Sequence, residues 1–244
     1  MWPSNLPVNQ AQPPVSIVTP TYNRKRFLPA LIECIKDQSY PLARIEWLVY
    51  DDGTEPVWDI LKPYEKELNI RYFRSETKLT IGAKRNKLND EARGKIIVTM
   101  DDDDYYFPNR IKSAVMGILA HKVQIAGSSK NILYFTDDKS IWQVLPYGPN
   151  HATFGTMAYT KEYTKSHRCD ETVAFAEEVQ FTNRYSEPLF QLNPENLMVV
   201  MCHSENTFNK SKLRTDGNPN FKKTTMVLKA LIKNSTLRAF YMSA

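Results

Sequence analysis

Four consecutive carboxylates, Asp101 to Asp104, follow the apolar run Ile96-Ile97-Val98 in the stretch TMDDDDYYFP. Like charges this close repel one another, so such a run is stable only where something positive meets it. Carboxylate oxygens are hard ligands suited to Mg2+ or Mn2+, ions usually held by one or two protein carboxylates plus the phosphates of a substrate. If the run leaves its strand extended, alternate side chains share a face, so Asp101 and Asp103 look into one pocket and Asp102 looks elsewhere. The competing reading is an acidic loop that caps the following helix. An EF-hand calcium loop is excluded, because its central Gly and closing Glu are missing.

Other residue types fit a metal-bound diphosphate. Asp52, in YDDGT, can accept a hydrogen bond from a base N–H, and Tyr22, in TPTYNR, can stack on a ring. Lys84 and Arg85, in IGAKRN, fall at the start of a helical stretch and can neutralise phosphates. Each alone is commonly just a solvated residue. Together they sketch a nucleotide-diphosphate pocket with a metal.

Elements that bring these residues together are legible. VSIVTP, IEWLVYDDG, IRYFRS and KIIVTM are short β-branched runs of the kind found in buried strands. Between them, residues 27 to 38, EPVWDILKPYEKEL (broken at Pro63) and TIGAKRNKLNDEARG have helical spacing, and NRIKSAVMGILAHK follows as a further helix. Alternating strands and helices predict βαβ units and a parallel sheet. The Asp- and Asn-rich stretches fall at the carboxyl ends of strands, where open α/β sheets bind ligands.

The second half is less regular. VQIAGSSKNILYFT reads as one strand, paired in a hairpin with SIWQVLP around DDKS, and HATFGTMAYTKEYT supplies a strand and a turn. EEVQFTNRYS reads as a helix and LMVVMCHSENT as a strand with a polar end. Residues 1–14 read as an extended arm, 15–223 as a single domain, and 224–244 as one amphipathic helix carrying Met226, Val227, Leu228, Leu231 and Ile232. Trp142, Tyr147, His151 and Phe154 are candidates for an aromatic stacking wall, against the commoner fate of aromatic side chains, which is burial.

Composition bounds the function classes. The chain has 244 residues, 42% hydrophobic and 24% charged, an ordinary globular balance. Its net charge of +5 is spread along the chain; it suits an anionic small molecule and does not call for nucleic acid. Cys34, Cys169 and Cys202 match no zinc spacing, and their odd number argues against a disulfide framework, so a reducing compartment is expected. The first residues lack the basic start and apolar core of a signal peptide, and no apolar run is long enough to span a bilayer. The expectation is a cytoplasmic protein without a membrane span.

VSIVTPTYNR, WLVYDDGT, GAKRN…ARGKIIVTMDDDDYYFPNRI and FAEEVQFTNR occur in the order seen in family-two inverting glycosyltransferases, and the chain resembles that family. The match is dense from Val15 to about Ile111 and looser at FGTMAY, AEEVQF and CHSENT. The resemblance implies an α/β GT-A fold, with a mostly parallel central sheet flanked by helices, a nucleotide-binding half over 15–111 and an acceptor-binding half over 112–223. It implies a nucleotide-sugar donor, a UDP-sugar before others, a Mn2+ or Mg2+ cofactor, and a glycan, protein or lipid-linked acceptor. Stand-alone enzymes of this kind also occur in some large DNA viruses, an origin compatible with this chain.

The family pattern sets Pro20, Tyr22, Asn23, Arg24 and Asp52 around the nucleotide, Lys84 and Arg85 near the phosphates, and Asp101 and Asp102 near the ribose and sugar. Asp103, Asp101 and His203 become the metal candidates. This chain has four aspartates where the family often has three, so the register can slip by one and Asp104 also stays in play. The acidic pair Glu177-Glu178 stands where the family keeps its catalytic base, often as Glu-Asp, which favours Glu178 with Glu177 second. Without the resemblance, the pair reads as exposed glutamates opening a helix, and His203 as a structural histidine.

Three rivals remain at this level. A sugar-nucleotide nucleotidyltransferase would carry a Gly-rich loop after the first strand, and TPTYNRKRF has no Gly. A phosphohydrolase with an aspartyl nucleophile would place that residue after the first strand rather than the fourth. A non-catalytic sugar- or nucleotide-binding module of the same fold is the main alternative.

Overall fold

The computed structural model describes residues 12–206, 208, 210–214 and 218–243. The expected arm therefore lies outside the described residues apart from its end, where the Pro13 carbonyl accepts from the Tyr40 hydroxyl at 2.6 Å and the Pro14 carbonyl from Lys95 N–H at 2.8 Å.

The first half alternates β1 (Val15–Thr21), α1 (Leu28–Lys36), β2 (Ile45–Asp51), the short α2 (Trp58–Leu61), β3 (Ile70–Arg74), α3 (Ile81–Glu91) and β4 (Ile96–Thr99). After β5 (Tyr105–Tyr106) and α4 (Arg110–His121) come β6 (Ile125–Gly127), β7 (Asn131–Phe135), β8 (Ile141–Val144) and β9 (Ala158–Thr160). The chain closes with α5 (Glu178–Phe181), β10 (Phe190–Gln191), β11 (Met198–Cys202), β12 (Phe221–Lys223), α6 (Leu228–Leu231) and α7 (Ser235–Ser243).

Seven strands form the central sheet in the order β10-β6-β9-β4-β1-β2-β3. Only β9 runs antiparallel to its neighbours. Every residue of β1 is buried, as expected of a strand covered on both faces. Leu28, Leu31, Ile32 and Ile35 of α1 repeat at helical spacing and pack into the main core with Trp47 and Val49. Pro20 lies beyond the last β1–β4 pairing, Val18 with Thr99, so its missing N–H costs no bond to β4.

A second, five-stranded sheet has the order β12-β8-β7-β11-β5. The stretch read as one strand, VQIAGSSKNILYFT, is two: β6 belongs to the first sheet and β7 to the second. The switch occurs where the Ser128 hydroxyl bonds both the N–H and the carbonyl of Lys130, local bonds that compete with a ladder. The hairpin of β7 with β8 forms around DDKS as expected. The terminal helix expected over 224–244 is interrupted. α6 ends at Leu231, and a new helix, α7, begins where Asn234 accepts from the N–H groups of Thr236 and Leu237. The helix read at EEVQFTNRYS is a single turn, α5, after which Asn183, Arg184 and Tyr185 all take positive φ.

Parallel register sets the site. Thr21 is level with Asp51, and Val18 with Thr99, so the segments after β1, β2 and β4 emerge at one edge of the sheet. No helix among the described residues is long and apolar enough to cross a membrane.

Candidate active site

At that edge the loops after β1 and β2 are tied together. Asn23 takes a left-handed φ of 54°, and its side-chain oxygen accepts from Thr54 N–H at 2.7 Å and from the Thr54 hydroxyl at 3.1 Å. Asp51 is buried and accepts from Gly53 N–H, Val57 N–H and the Tyr72 hydroxyl. Asp52 is buried too: one oxygen takes Lys84 Nζ at 2.8 Å and the other takes Leu79 N–H at 2.6 Å. Above them opens a cavity of ≈ 350 Å³ lined by Tyr22, Asp52, Thr54, Arg74, Glu76 and Lys78. The Lys78 ammonium lies 4.1 Å from the Tyr22 ring centroid. Lys84, expected near phosphates, is a buried counter-charge to Asp52, itself on the wall of this cavity. Pro20 is buried within β1, below the lining.

The aspartate run turns rather than extends, so its four side chains find four environments. Asp101 is gripped by both terminal nitrogens of Arg85, at 3.0 and 3.3 Å. Asp102 is buried, its Oδ2 has no hydrogen-bond partner among the described residues, and its nearest cation is Arg24 at 3.9 Å. Burial first, and the neighbouring Asp103 charge next, push its carboxyl up to about 8. Asp103 accepts from Arg24, from His203 Nε2 at 3.1 Å and from Asn206 Nδ2 at 3.1 Å. Burial works against its ionisation, yet the His203 hydrogen bond and the Arg24 charge hold it well below the usual carboxylate range. Asp104 is structural: its carboxylate accepts from Met201 N–H at 2.8 Å and its carbonyl from the Tyr241 hydroxyl at 2.9 Å.

The residues that meet these carboxylates are thus Arg24 and Arg85. Asp101 and Asp103, expected to share a pocket, are held by different arginines. His203 Nδ1 accepts from Glu205 N–H at 3.2 Å, which leaves Nε2 to donate to Asp103, and its ring packs on Phe27. Asn206, three residues on, completes this cluster. Its closeness to His203 in CHSEN was the signal available in the sequence.

The chemistry of this donor set suits a divalent ion shared with a substrate. The ionised Asp103 carboxylate and an orphaned buried oxygen on Asp102 lie together, and His203 Nε2 could join as a ligand once it gave up the proton it now donates to Asp103. Among the described residues no three His, Cys, Asp or Glu side chains converge as a cage, so the remaining ligands would be phosphate oxygens and water.

Arg85 also reaches the acidic pair. Its Nε donates to Glu177 at 2.7 Å while its guanidinium lies 4.1 Å from the Phe154 ring centroid. One buried cation thereby joins Asp101, 16 residues away in sequence, to Glu177, 92 residues away. Glu178 opens α5 and makes no ion pair among the described residues. Burial, and then the Glu177 charge, push its carboxyl up to about 7, with Arg85 opposing.

Asn86 holds the loop before this pair to α3, bonding Cys169 N–H, the Cys169 carbonyl and Glu171. Gly82 lets that loop come close: a Cβ there would lie 2.0 Å from the Asp170 carbonyl oxygen. Neither role was readable, since a polar helix face and a Gly carry no partner's address. The candidate aromatic wall is split. Trp142 packs edge-on against Phe135, Phe154 lies under Arg85, and only Tyr147 and His151 remain together, 5.1 Å apart. The three cysteines are free and buried, and Cys202, pushed up to about 12 by burial, is no nucleophile.

Known proteins share this sequence pattern and architecture. The chain is 30% identical over 108 residues to poly(ribitol-phosphate) beta-N-acetylglucosaminyltransferase TarS of Staphylococcus aureus, a match covering 43% of this chain and 19% of that protein. It is 29% identical over 105 residues to a putative teichuronic acid biosynthesis glycosyltransferase, TuaG of Bacillus subtilis, covering 41% and 40%. The chain thus spans well under half the length of these relatives. Among solved structures, S. aureus TarS 1-349 in complex with UDP-GlcNAc superposes with a TM-score of 0.63 at 19% identity, over 80% of this chain and 60% of that one. A mannosyltransferase of Pyrobaculum calidifontis in complex with GDP-Man and Mn2+ gives 0.64 at 14% identity, over 80% and 59%. The fold is accordingly GT-A: α/β, with a mostly parallel central sheet flanked by helices. The profile of glycosyl transferase family 2 matches residues 16–183, and the chain belongs to that family.

Proposed function

We propose that this chain transfers a sugar from a nucleoside-diphosphate sugar, a UDP-sugar before a GDP-sugar, to an acceptor hydroxyl with inversion. The observation that carries this reading is the ion triad Asp101–Arg85–Glu177, which fixes the acidic pair beside the aspartate run and leaves Glu178 unpaired. Glu177 is paired with Arg85. Glu178, with its carboxyl near neutrality, has the properties of a general base.

In this scheme the cavity between Tyr22, Asp52 and Thr54 takes the base and ribose, with Asn23 holding its two loops together. Glu178 takes the proton from the acceptor hydroxyl as that oxygen attacks the anomeric carbon opposite the leaving nucleoside diphosphate. The new glycosidic bond forms as the bond to the diphosphate breaks. Asp103 and His203 would hold Mn2+ or Mg2+, which when bound there supplies positive charge to the leaving diphosphate. Arg24, which balances Asp103, stands beside this pair as a further cation for the phosphates. Arg85 is a positioning residue, holding Glu177 and Asp101 from behind.

Calorimetric titration of UDP and GDP, with and without Mn2+, tests the reading. Metal-dependent UDP binding that is lost in Asp103→Ala is expected. If neither nucleotide binds under either condition, the aspartate run is an acidic loop, and the non-catalytic module replaces this proposal.

A further inference from the structure

A second cavity, of ≈ 650 Å³, lies in the half of the chain that the donor reading leaves unused. Ser128, Lys130, Tyr147, Pro149, Gln191 and Asn193 are on its wall. Its frame is rigid. The Gln191 amide donates to the carbonyls of Pro149 and His151, both at 2.8 Å, and accepts from Ser129 N–H at 2.9 Å. The Ser129 hydroxyl bonds His151 Nδ1 at 2.9 Å and accepts from Tyr147 N–H at 2.8 Å.

From the edge of this cavity three rings lead back to the acidic pair. Tyr147, 54% exposed, lies 5.1 Å from His151, and His151 lies 4.7 Å from Tyr185. Tyr185 is fixed just after α5: its N–H donates to the Thr182 hydroxyl, which donates to the Glu178 carbonyl. It is the last of three consecutive residues held at positive φ, a costly backbone kept where the surrounding structure over-determines it. Burial raises the Tyr185 hydroxyl, and the Glu178 and Glu177 charges raise it further, so the end of the ring series feels the proposed base.

We infer that this cavity, with the ring series Tyr147–His151–Tyr185, is the acceptor subsite, and that its occupant is a saccharide chain of more than one unit. The inference rests on Glu178 being the base. Aromatic faces with polar edges suit sugar rings, whose C–H faces are apolar and whose rims carry hydroxyls. The Lys130 ammonium and the Asn193 amide nitrogen, without side-chain partners among the described residues, lie on the wall as donors for those hydroxyls. The ring series is longer than one sugar, so units added beyond the first gain contacts. No carboxylate lines the cavity, which disfavours a basic peptide.

Saturation-transfer NMR on the full chain with UDP and Mg2+ present, a diamagnetic ion that leaves the ligand signals sharp, tests this. The probes are cellobiose, chitobiose and maltose, each beside its monosaccharide, and a Ser/Thr-containing peptide. At least one disaccharide should give transfer stronger than its monosaccharide. That signal should weaken roughly three- to tenfold in Tyr147→Ala and persist in Tyr147→Phe, since the aromatic face is what matters. UDP binding should be unchanged in both variants, because Tyr147 is an exposed residue that does not line the donor cavity. Silence of every saccharide while UDP still binds overturns the inference and leaves the donor reading standing. A signal unaffected by Tyr147→Ala also overturns it, as does transfer to the peptide alone, which would mean a protein acceptor. Failure of UDP itself to bind is the separate failure of the donor reading.

Discussion

Glu178→Gln is the sharpest perturbation of the proposed chemistry. The substitution keeps the shape of the side chain at the start of α5 and removes its ability to accept a proton. General-base assistance is typically worth about 10²–10⁴-fold, so turnover should fall by that factor while UDP affinity stays within about twofold. The pH dependence is the stricter part. The displacement of this carboxyl from its ordinary value of 4.5 to about 7 is on the order of 3 kcal/mol against the ionised form. Its largest cause is burial and its second is the Glu177 charge. A base works when deprotonated, so the rate should rise with pH through about 7. The ionised fraction goes from roughly 10% one pH unit below that value to roughly 90% one unit above, a roughly tenfold rise in rate. The assay is nucleoside diphosphate released from UDP-GlcNAc, with GDP-mannose as comparison, followed from pH 5.5 to 8.5, an interval of about three units chosen to bracket the transition. Glu177→Gln removes the like charge, so the limb should move to lower pH; Arg85→Gln removes the opposing cation, so it should move to higher pH. A flat wild-type profile, or a Glu178→Gln enzyme that keeps the rising limb, would refute the assignment.

Other outcomes follow from the same geometry. Asp51→Ala leaves two N–H groups and the Tyr72 hydroxyl without their acceptor, and should cost about 3 kcal/mol, visible as a lower Tm in calorimetry. Gly82→Ala drives a methyl into the Asp170 carbonyl and should destabilise by about 1–3 kcal/mol. The control Gly148→Ala, with open space around it, should melt within about 0.5 kcal/mol of wild type. In Asp103→Ala, the Mn2+-dependent increment of UDP binding should disappear while metal-free binding changes little, which titration with and without the ion reads directly.

Much of the first half was legible because it is local. Each of VSIVTP, IEWLVYD and KIIVTM is a run of residues that favour extended, buried backbone, and βαβ order then dictates that their ends meet. The Asp103–His203 pairing followed from the resemblance rather than from spacing, since the two lie 100 residues apart. The second half was read less well. Ser128 to Lys130 look like the middle of a strand, yet their own side-chain bonds turn the chain from one sheet into the other. The terminal helix broke because Asn234 makes a better start for a new helix than a continuation of the old one.

By itself the sequence determined the element order, the buried strands, the acidic run and the pair Glu177-Glu178, since these depend on residue type and near neighbours. Tertiary structure alone decided how the charges are shared. Lys84 is spent on Asp52, Arg24 on Asp103, and Arg85 on both Asp101 and Glu177, so that Glu178 is left unpaired and partly buried. A carboxylate's character is set by what desolvates it and which cation reaches it. In this chain those neighbours arrive from 16 to 100 residues away, at distances that only the folded sheet fixes.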